Sequence, residues 1–229
     1  ELINNELVLI KSQYQREEAY NELKVQKFDE NIELLTESIP ICRSRIADYY
    51  DKGDFKLEYD KTKSRLLVTY SEKSQDDKRI LHVRCFQRST WKEIYSKSIK
   101  LSMPYADYSL TGLSFENGEN AFLLIGNNGR SKKREQLPFT SYNLFHFRLS
   151  DSLVEDYALN DTSLYVTQPE MNYNRSKNEL LVTGLYSNQS PESFSGYYTL
   201  HFSTADTIMR YYLTPFNKDL IRMLKTDRS

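Results

Sequence analysis

LEYDKTKSRLLVTY (residues 57–70), LSFENGENAFLLIG (113–126) and MNYNRSKNELLVTG (171–184) superimpose without a gap, and their starts lie 56 and 58 residues apart. Each reads as a strand ending in an aromatic residue (Tyr59, Phe115 or Tyr173), a turn-capping side chain (Asp60, Glu116 or Asn174), a polar turn and a four-residue apolar run. Turn formers between two β-rich runs predict a hairpin. A fourth copy opens the chain, where ELVLIK from Glu6 matches RLLVTY from Arg65. Counting back from that match places its first strand before Glu1, so this copy is expected to lack it.

A second hairpin follows each first one, at LKVQKF from Leu23, LHVRCF from Leu81, LFHFRL from Leu144 and TLHFST from Thr199. After a short turn comes a further apolar strand, expected to hold Ile32, Trp91, Leu153 or Ile208. Every unit therefore has four strands in about 58 residues, with no helical period between them. Iterated four-stranded units are the sequence signature of β-propeller blades, and a β-sandwich has no reason to repeat its sequence. The runs VLI, LLV, FLLI and LLV do not alternate with polar residues, as befits strands covered on both faces. The reading is a single all-β, β-propeller-like domain over residues 1–229. Its units fall at about 1–41 (truncated), 55–101, 108–159 and 165–216, with a C-terminal tail at 217–229. Propellers close with roughly four to eight blades, so this set is incomplete, part of a larger ring, closed as a small four-bladed one, or completed by another chain.

The pattern Y-[DN]-x4-[ER]-L-L-V-T, followed in the last unit by GLYS, SGYYTLHF and the Pro215-Phe216 pair, resembles uncharacterised exported β-propeller-like repeat proteins of Bacteroidetes over residues 55 to 220. The first unit departs from it, with Lys24 and acidic loops. The resemblance implies an extracytoplasmic address, periplasm or cell surface, more than a mechanism. Asp151-Ser152-Leu153 and Asp206-Thr207-Ile208 resemble the D-[ST]-apolar acceptor of O-glycans on exported proteins of such bacteria, although Asp and Ser or Thr are also good turn residues there.

The 229 residues carry 31 Lys and Arg against 32 Asp and Glu. This balance lacks the basic footprint of a dedicated nucleic-acid binder. No apolar run approaches the roughly 18 residues needed for a membrane helix. Hydrophobic content is only 39%, but 18 Tyr and 11 Phe supply large buriable side chains. The chain opens at Glu1 without a signal sequence, so any such segment is expected to have been removed or to lie outside the sequence. Cys42 and Cys85 have no CxxC spacing and read as two structural thiols.

The sequence predicts short turns between strands one and two and between three and four of each unit, DEN from Asp29 among them, and long connections at the other end, such as KSQYQREEAYNE from Lys11. Long loops on a rigid scaffold are where binding concentrates. They are assigned Tyr49, Tyr50, Tyr105, Arg130, Arg134, Tyr142, Tyr186 and Phe194 as candidate binding residues, since Tyr and Arg are enriched at interfaces.

All three histidines, His82, His146 and His201, are aligned by the sequence in one slot of the third strand. Three histidines can hold zinc, but equivalent slots in successive blades diverge, so packing with a bonded ring nitrogen is expected. No metal site, cofactor or catalytic residue is assigned. GxSxG, GxxxxGK[ST] and HExxH motifs are absent, and the acidic pairs Glu17-Glu18 and Asp76-Asp77 are commonplace in charged loops. Asn160, Asn174 and Asn188 open N-x-[ST] sequons. The functional expectation is a non-catalytic protein-interaction or scaffold module in an outer-membrane or cell-surface assembly. The alternative is a propeller that binds or processes carbohydrate, with loop tyrosines stacked on sugar rings.

Overall fold

The computed structural model describes residues 2–3, 6–46, 55–104, 108–116, 118–127, 141–159, 164–174, 176–188, 193–203, 208–217 and 219. Their strands form four four-stranded antiparallel sheets. The first contains β1 (Leu2–Ile3), β2 (Glu6–Gln15), β3 (Tyr20–Phe28) and β4 (Ile39–Arg45), and the second β5 (Lys56–Tyr59), β6 (Arg65–Lys73), β7 (Lys78–Gln87) and β8 (Lys92–Pro104). The third contains β9 (Tyr108–Glu116), β10 (Asn120–Asn127), β11 (Ser141–Arg148) and β12 (Leu153–Ala158), and the fourth β13 (Tyr165–Asn174), β14 (Glu179–Ser187), β15 (Gly196–Ser203) and β16 (Ile208–Pro215). Every sheet is a meander in chain order, open at both edges. The chain is all-β and propeller-like, one sheet per sequence repeat, with strands of the expected order. It divides into two compact units, Glu1–Tyr105 and Ala106–Ser229, each holding two sheets. Of the expected tail, all but Asn217 and Asp219 lies outside the described residues.

The structure corrects the sequence reading in detail. The first unit does have its first strand, as a two-residue stub that pairs Leu2 with Leu7 and Ile3 with Glu6. The gap-free alignment of the hairpins slips by one in the third sheet. There Phe115 faces Ala121, whereas Tyr59 faces Leu66 and Tyr173 faces Leu180. The turn at 117–119 is one residue shorter than those at 61–64 and 175–178, with Gly118 at φ 66°.

Loop lengths differ as well. The expected long loop at 11–22 is a hairpin with a four-residue turn at 16–19, and the β6–β7 turn at 74–77 is equally short. Ser12, Gln13 and Tyr14 are exposed on both faces of β2, so the polarity of Lys11 to Gln15 marks an open strand end, not a loop. Conversely, the β3–β4 connection, expected to be short at DEN, runs over 29–38. Asp29 Oδ1 accepts from the amides of Asn31 (2.9 Å) and Glu33 (2.8 Å) and folds that segment on itself. Ile32 is consequently in the loop at φ 66°, not in a strand. Trp91, also expected in a strand, closes the turn before β8.

The two units have separate cores. In the first, Val8, Leu23, Val25, Ile41 and Cys42 of one sheet meet Leu66, Val68, Tyr70, Phe86 and Trp91 of the next. In the second, Phe122, Leu124, Tyr142 and Leu144 meet Val166, Leu180, Val182, Tyr186, Tyr198, Leu200 and Phe202. Each fully buried side chain of this size contributes about 1.5–3 kcal/mol. The unbroken apolar runs of β6 and β10 are buried on both faces, as expected: Leu66, Leu67 and Val68 are 0% exposed, as are Ala121 through Ile125. Those of β2 and β14 are not. Leu9 is 45% exposed beside buried Val8, and Thr183 is exposed beside buried Val182. The first and last sheets each keep one uncovered face.

Candidate interaction surface

Of the eight candidate residues, Tyr49, Tyr50, Tyr105, Arg130 and Arg134 lie outside the described residues. Tyr142 and Tyr186 are core residues of the second unit, 3% and 5% exposed. They belong to β11 and β14, because those strands extend further than turn-forming neighbours such as Ser141 and Asn188 suggest. Phe194 is half-buried just before β15. The long-loop set is thus not brought together as a site among the described residues.

The histidines occupy two slots, not one. Pairing of Leu66 with Phe86, Ala121 with Phe147 and Leu180 with Phe202 fixes the equivalent positions. His146 and His201 each precede the equivalent Phe, but in the second sheet that slot holds Cys85, and His82 stands three residues earlier. His146 is 1% exposed and stacks on Phe122, with ring centroids 4.6 Å apart. Its Nδ1 lies 2.9 Å from Glu155 Oε2 and its Nε2 2.8 Å from Asn120 Oδ1. Burial between rings pushes its pKa down, against the opposing pull of Glu155. His82 stacks on Tyr70 and bonds Ser98 Oγ through Nδ1 at 2.8 Å. His201 sets its ring edge against Tyr212, 3.7 Å from Glu179 Oε2. Each is held by its own sheet, and among the described residues no three His, Cys, Asp or Glu side chains converge on one point.

Other reactive groups are similarly engaged. Burial raises both Cys42 and Cys85 to about 12, so neither is a thiolate at neutral pH. Asp76 is held down to about 2, chiefly by Lys100 at 2.8 Å and then by Ser74. Its neighbour Asp77 pairs with Lys73 instead. The two carboxylates serve separate ion pairs at a turn and do not face one another. Asn174 Oδ1 accepts from Ser176 N and Oγ as a turn cap, and Asp151 Oδ1 does the same for Leu153 N. Asn160, Asp206 and Thr207 are outside the described residues.

What the sequence reading missed is exposed apolar surface on sheet faces. Among the large apolar side chains that are exposed in the described residues, only Leu57, Ile94 and Leu153 belong to the two middle sheets. The outer face of the first sheet aligns Leu7 of β2, Phe28 of β3 and Leu34 of the β3–β4 connection, with Leu9 beside them. Leu34, Leu35 and Ile32 are 56%, 49% and 71% exposed. Along the same face Glu22 is buried between Lys24 and Arg43, each 2.8 Å away. Burial would raise its pKa, but the hydrogen bonds from both cations outweigh that and hold it below the usual carboxylate range. Arg43 also covers the Tyr20 ring, 4.8 Å from its centroid. On the last sheet the outer face carries Leu181, Thr183 and Leu185 of β14, Tyr197, Thr199 and His201 of β15, and Arg210 and Tyr212 of β16. Tyr197 and Tyr212 are both more than half exposed. No signal in β14 itself marked its half-covered face, since its LLVT is identical to residues 66–69 of β6, which are buried on both faces.

No family model matches this chain, and no curated protein does. Among solved structures it is similar to an acylaminoacyl peptidase of Pyrococcus horikoshii, at 6% identity, TM-score 0.49 and 93% coverage of this chain but 31% of that one. It is also similar to a Synechocystis apocarotenoid oxygenase mutant (6%, 0.46, covering 88% and 47%) and to an endo-arabinase of Bacteroides thetaiotaomicron (11%, 0.40, covering 90% and 79%). The chain spans half or less of the length of the first two. Likeness at this level carries no statement about activity.

Proposed function

We propose that this chain is a non-catalytic, protein-binding module, exported and working within an outer-membrane or cell-surface assembly. The observation that supports it is the exposed apolar surface on the outer faces of the first and last sheets. Contiguous uncovered apolar side chains on a folded domain mark interaction sites. A flat face rimmed by charge, with aromatic residues and arginine within it, has the composition of a protein interface. No helix among the described residues is long and apolar enough to cross a membrane, so membrane association in this reading runs through partners. A second reading, glycan binding, draws on Tyr197 and Tyr212, whose exposed rings are diagonal neighbours on one face and offer stacking planes.

Cross-linking followed by mass spectrometry of envelope fractions from producing cells separates the two. The protein-binding reading expects a defined set of cross-linked partners, lost when Leu34→Glu or Tyr212→Glu is introduced into the stably folded chain. Recovery of the chain free of partners, with saturable binding of an oligosaccharide that Tyr197→Ala abolishes, overturns it. Fractionation into the cytoplasm would overturn the address.

A further inference from the structure

We propose that the outer face of the first sheet docks on the outer face of the last sheet of a second copy of this chain, as the fourth sheet docks on the third within one chain. The inference rests on the protein-binding reading and names its partner. Its template is the sheet-to-sheet contact of the second unit. There Leu180, paired with Phe202, presents that ring to the third sheet, where it meets Phe122 edge-on at 5.5 Å and His146 at 5.3 Å.

Both halves of that contact recur uncovered elsewhere in the chain. On the first sheet Leu7 pairs with Phe28 as Leu180 pairs with Phe202, and Leu9 stands where Val182 stands. On the last sheet Leu181 pairs with His201 as Phe122 pairs with His146, and Tyr197 stands where Tyr142 stands. Val182 is 0% exposed but Leu9 45%, and Tyr142 is 3% exposed but Tyr197 55%. The equivalent positions are covered in the internal contact and open on the two outer faces. A knob bearing Phe28 and Leu9 therefore has a matching surface in the last sheet of the same repeat, bearing His201, Leu181 and Tyr197.

Charge agrees with the pairing. The strands of the first-sheet face carry Lys11, Lys24, Arg43 and Arg45 against Glu22, with the acids Asp29, Glu30, Glu33 and Glu37 confined to the adjoining β3–β4 connection, whereas the last-sheet face carries Glu170 and Glu179 against Arg210. The unlike local signs of the strands favour face to face docking of unlike faces. Size suits a weak, concentration-dependent contact. With β1 only a stub, three strands about 4.8 Å apart and some nine residues long give about 400 Å² per side, so one contact buries about 800 Å², the range of weak or transient interfaces. The contact is heterologous, so chains joined by it form a closed ring or a filament.

The test is sedimentation velocity of the purified chain across the micromolar range. The wild type is expected to associate to at least twice its 27.1 kDa mass. Leu9→Glu, which places an acid toward Glu170 and Glu179, and Tyr197→Lys, which places a cation toward Lys24 and Arg43, should each weaken association about tenfold or more. Both positions are exposed, and unchanged circular dichroism and urea midpoints confirm intact folding. Mixing the two variants restores one intact contact and should give a 1:1 species that grows no further. A monomeric wild type, association insensitive to both substitutions, or no rescue in the mixture overturns the proposal. A monomer that still cross-links to other proteins in envelope fractions would leave the protein-binding reading standing while this one falls.

Discussion

The two units are built from one repeat but fill their cores differently. In the first, aliphatic side chains and one thiol, Cys42, surround Tyr70, Phe86 and Trp91. In the second, rings touch rings: Phe202 meets Phe122, His146 and Tyr157 edge-on, at 5.5, 5.3 and 5.3 Å. Register makes the contrast sharp, because Phe86 and Phe202 hold the same slot opposite Leu66 and Leu180. Gly196 and Glu22 likewise share a slot, opposite Tyr186 and Gln13. The repeat dictates where a side chain points. It does not dictate what fills the space.

The largest effect that could break this comparison comes from truncating the shared phenylalanine. Phe202→Ala is expected to cost about 4–5 kcal/mol and Phe86→Ala about 3 kcal/mol, both by urea unfolding. The difference is assigned to the edge-to-face contacts of Phe202, each worth about 0.5–1.5 kcal/mol beyond area. Equal losses would show that ring geometry adds nothing in the second core.

Next comes the slot shared by Gly196 and Glu22. A Cβ at Gly196 would run into the Thr214 carbonyl and stand 2.6 Å from Tyr186 Cε1, between backbone and a packed ring. Gly196→Ala should destabilise by about 3 kcal/mol or more through overpacking. Glu22→Ala removes no such constraint, but it leaves Lys24 and Arg43 without their shared carboxylate on a partly covered face. Its expected cost is about 1–2 kcal/mol. A mild Gly196→Ala would mean that β16 can slide away from β15.

Acid should separate the units in order. His146 has a pKa lowered by burial, so the unfolded chain takes up its proton first. The stability this neutral imidazole contributes is therefore present at neutral pH and is lost as pH falls below the unfolded value of about 6.5. Glu22, Asp60 and Glu72 in the first unit have lowered carboxyl pKa values, the hydrogen bonds to each carboxylate outweighing burial. Their contribution is intact above the unfolded carboxylate pKa, about 4, and is lost only below it. Between pH 6.5 and 5 the tyrosine near-ultraviolet dichroism, weighted to the second core, should weaken in stability before the fluorescence of Trp91, the chain's one tryptophan, which is buried in the first. His146→Gln should abolish the lag. Coincident behaviour in both proteins would refute it.

How much of this was legible follows from what each residue's pattern can encode. Gap-free copies of a hairpin gave the four sheets and the blade order, because strand number and covering are carried by apolar positions that any copy must keep. The slip of one residue at Gly118 was not legible, since a three-residue turn and a four-residue turn look alike until pairing is seen. Tyr142 and Tyr186 read as loop tyrosines for the same reason: a ring beside Ser or Asn looks like turn chemistry, and only register shows it pointing inward. Lys11 to Gln15 read as a loop because a strand end open to solvent on both faces is as polar as a turn. The half-covered face of β14 was not legible either: its LLVT is the same tetrapeptide as in β6, where both faces are buried, so coverage depends on whether a further sheet packs there and not on the strand's own residues.

The smallest effect concerns the turns, where the units are alike. Five four-residue hairpin loops, at 16–19, 74–77, 88–91, 149–152 and 175–178, end in a left-handed residue, Ala19, Asp77, Trp91, Ser152 and Asn178, with φ between 51° and 59°. Such a residue turns the chain back into the next strand after a type I turn, and glycine would adopt it without strain. None of the five is glycine. Ala19 and Ser152, one in each unit, are exposed and make a matched pair. Alanine has only the steric penalty, whereas Ser152 follows Asp151, whose Oδ1 holds Leu153 N at 3.0 Å and fixes the turn independently. Ala19→Gly should therefore stabilise by about 0.5–1 kcal/mol and Ser152→Gly by less, read as shifts of urea midpoint at constant slope. If both lost stability, the left-handed residues would be held by contacts beyond the turn itself, and the two units would share more than their strands.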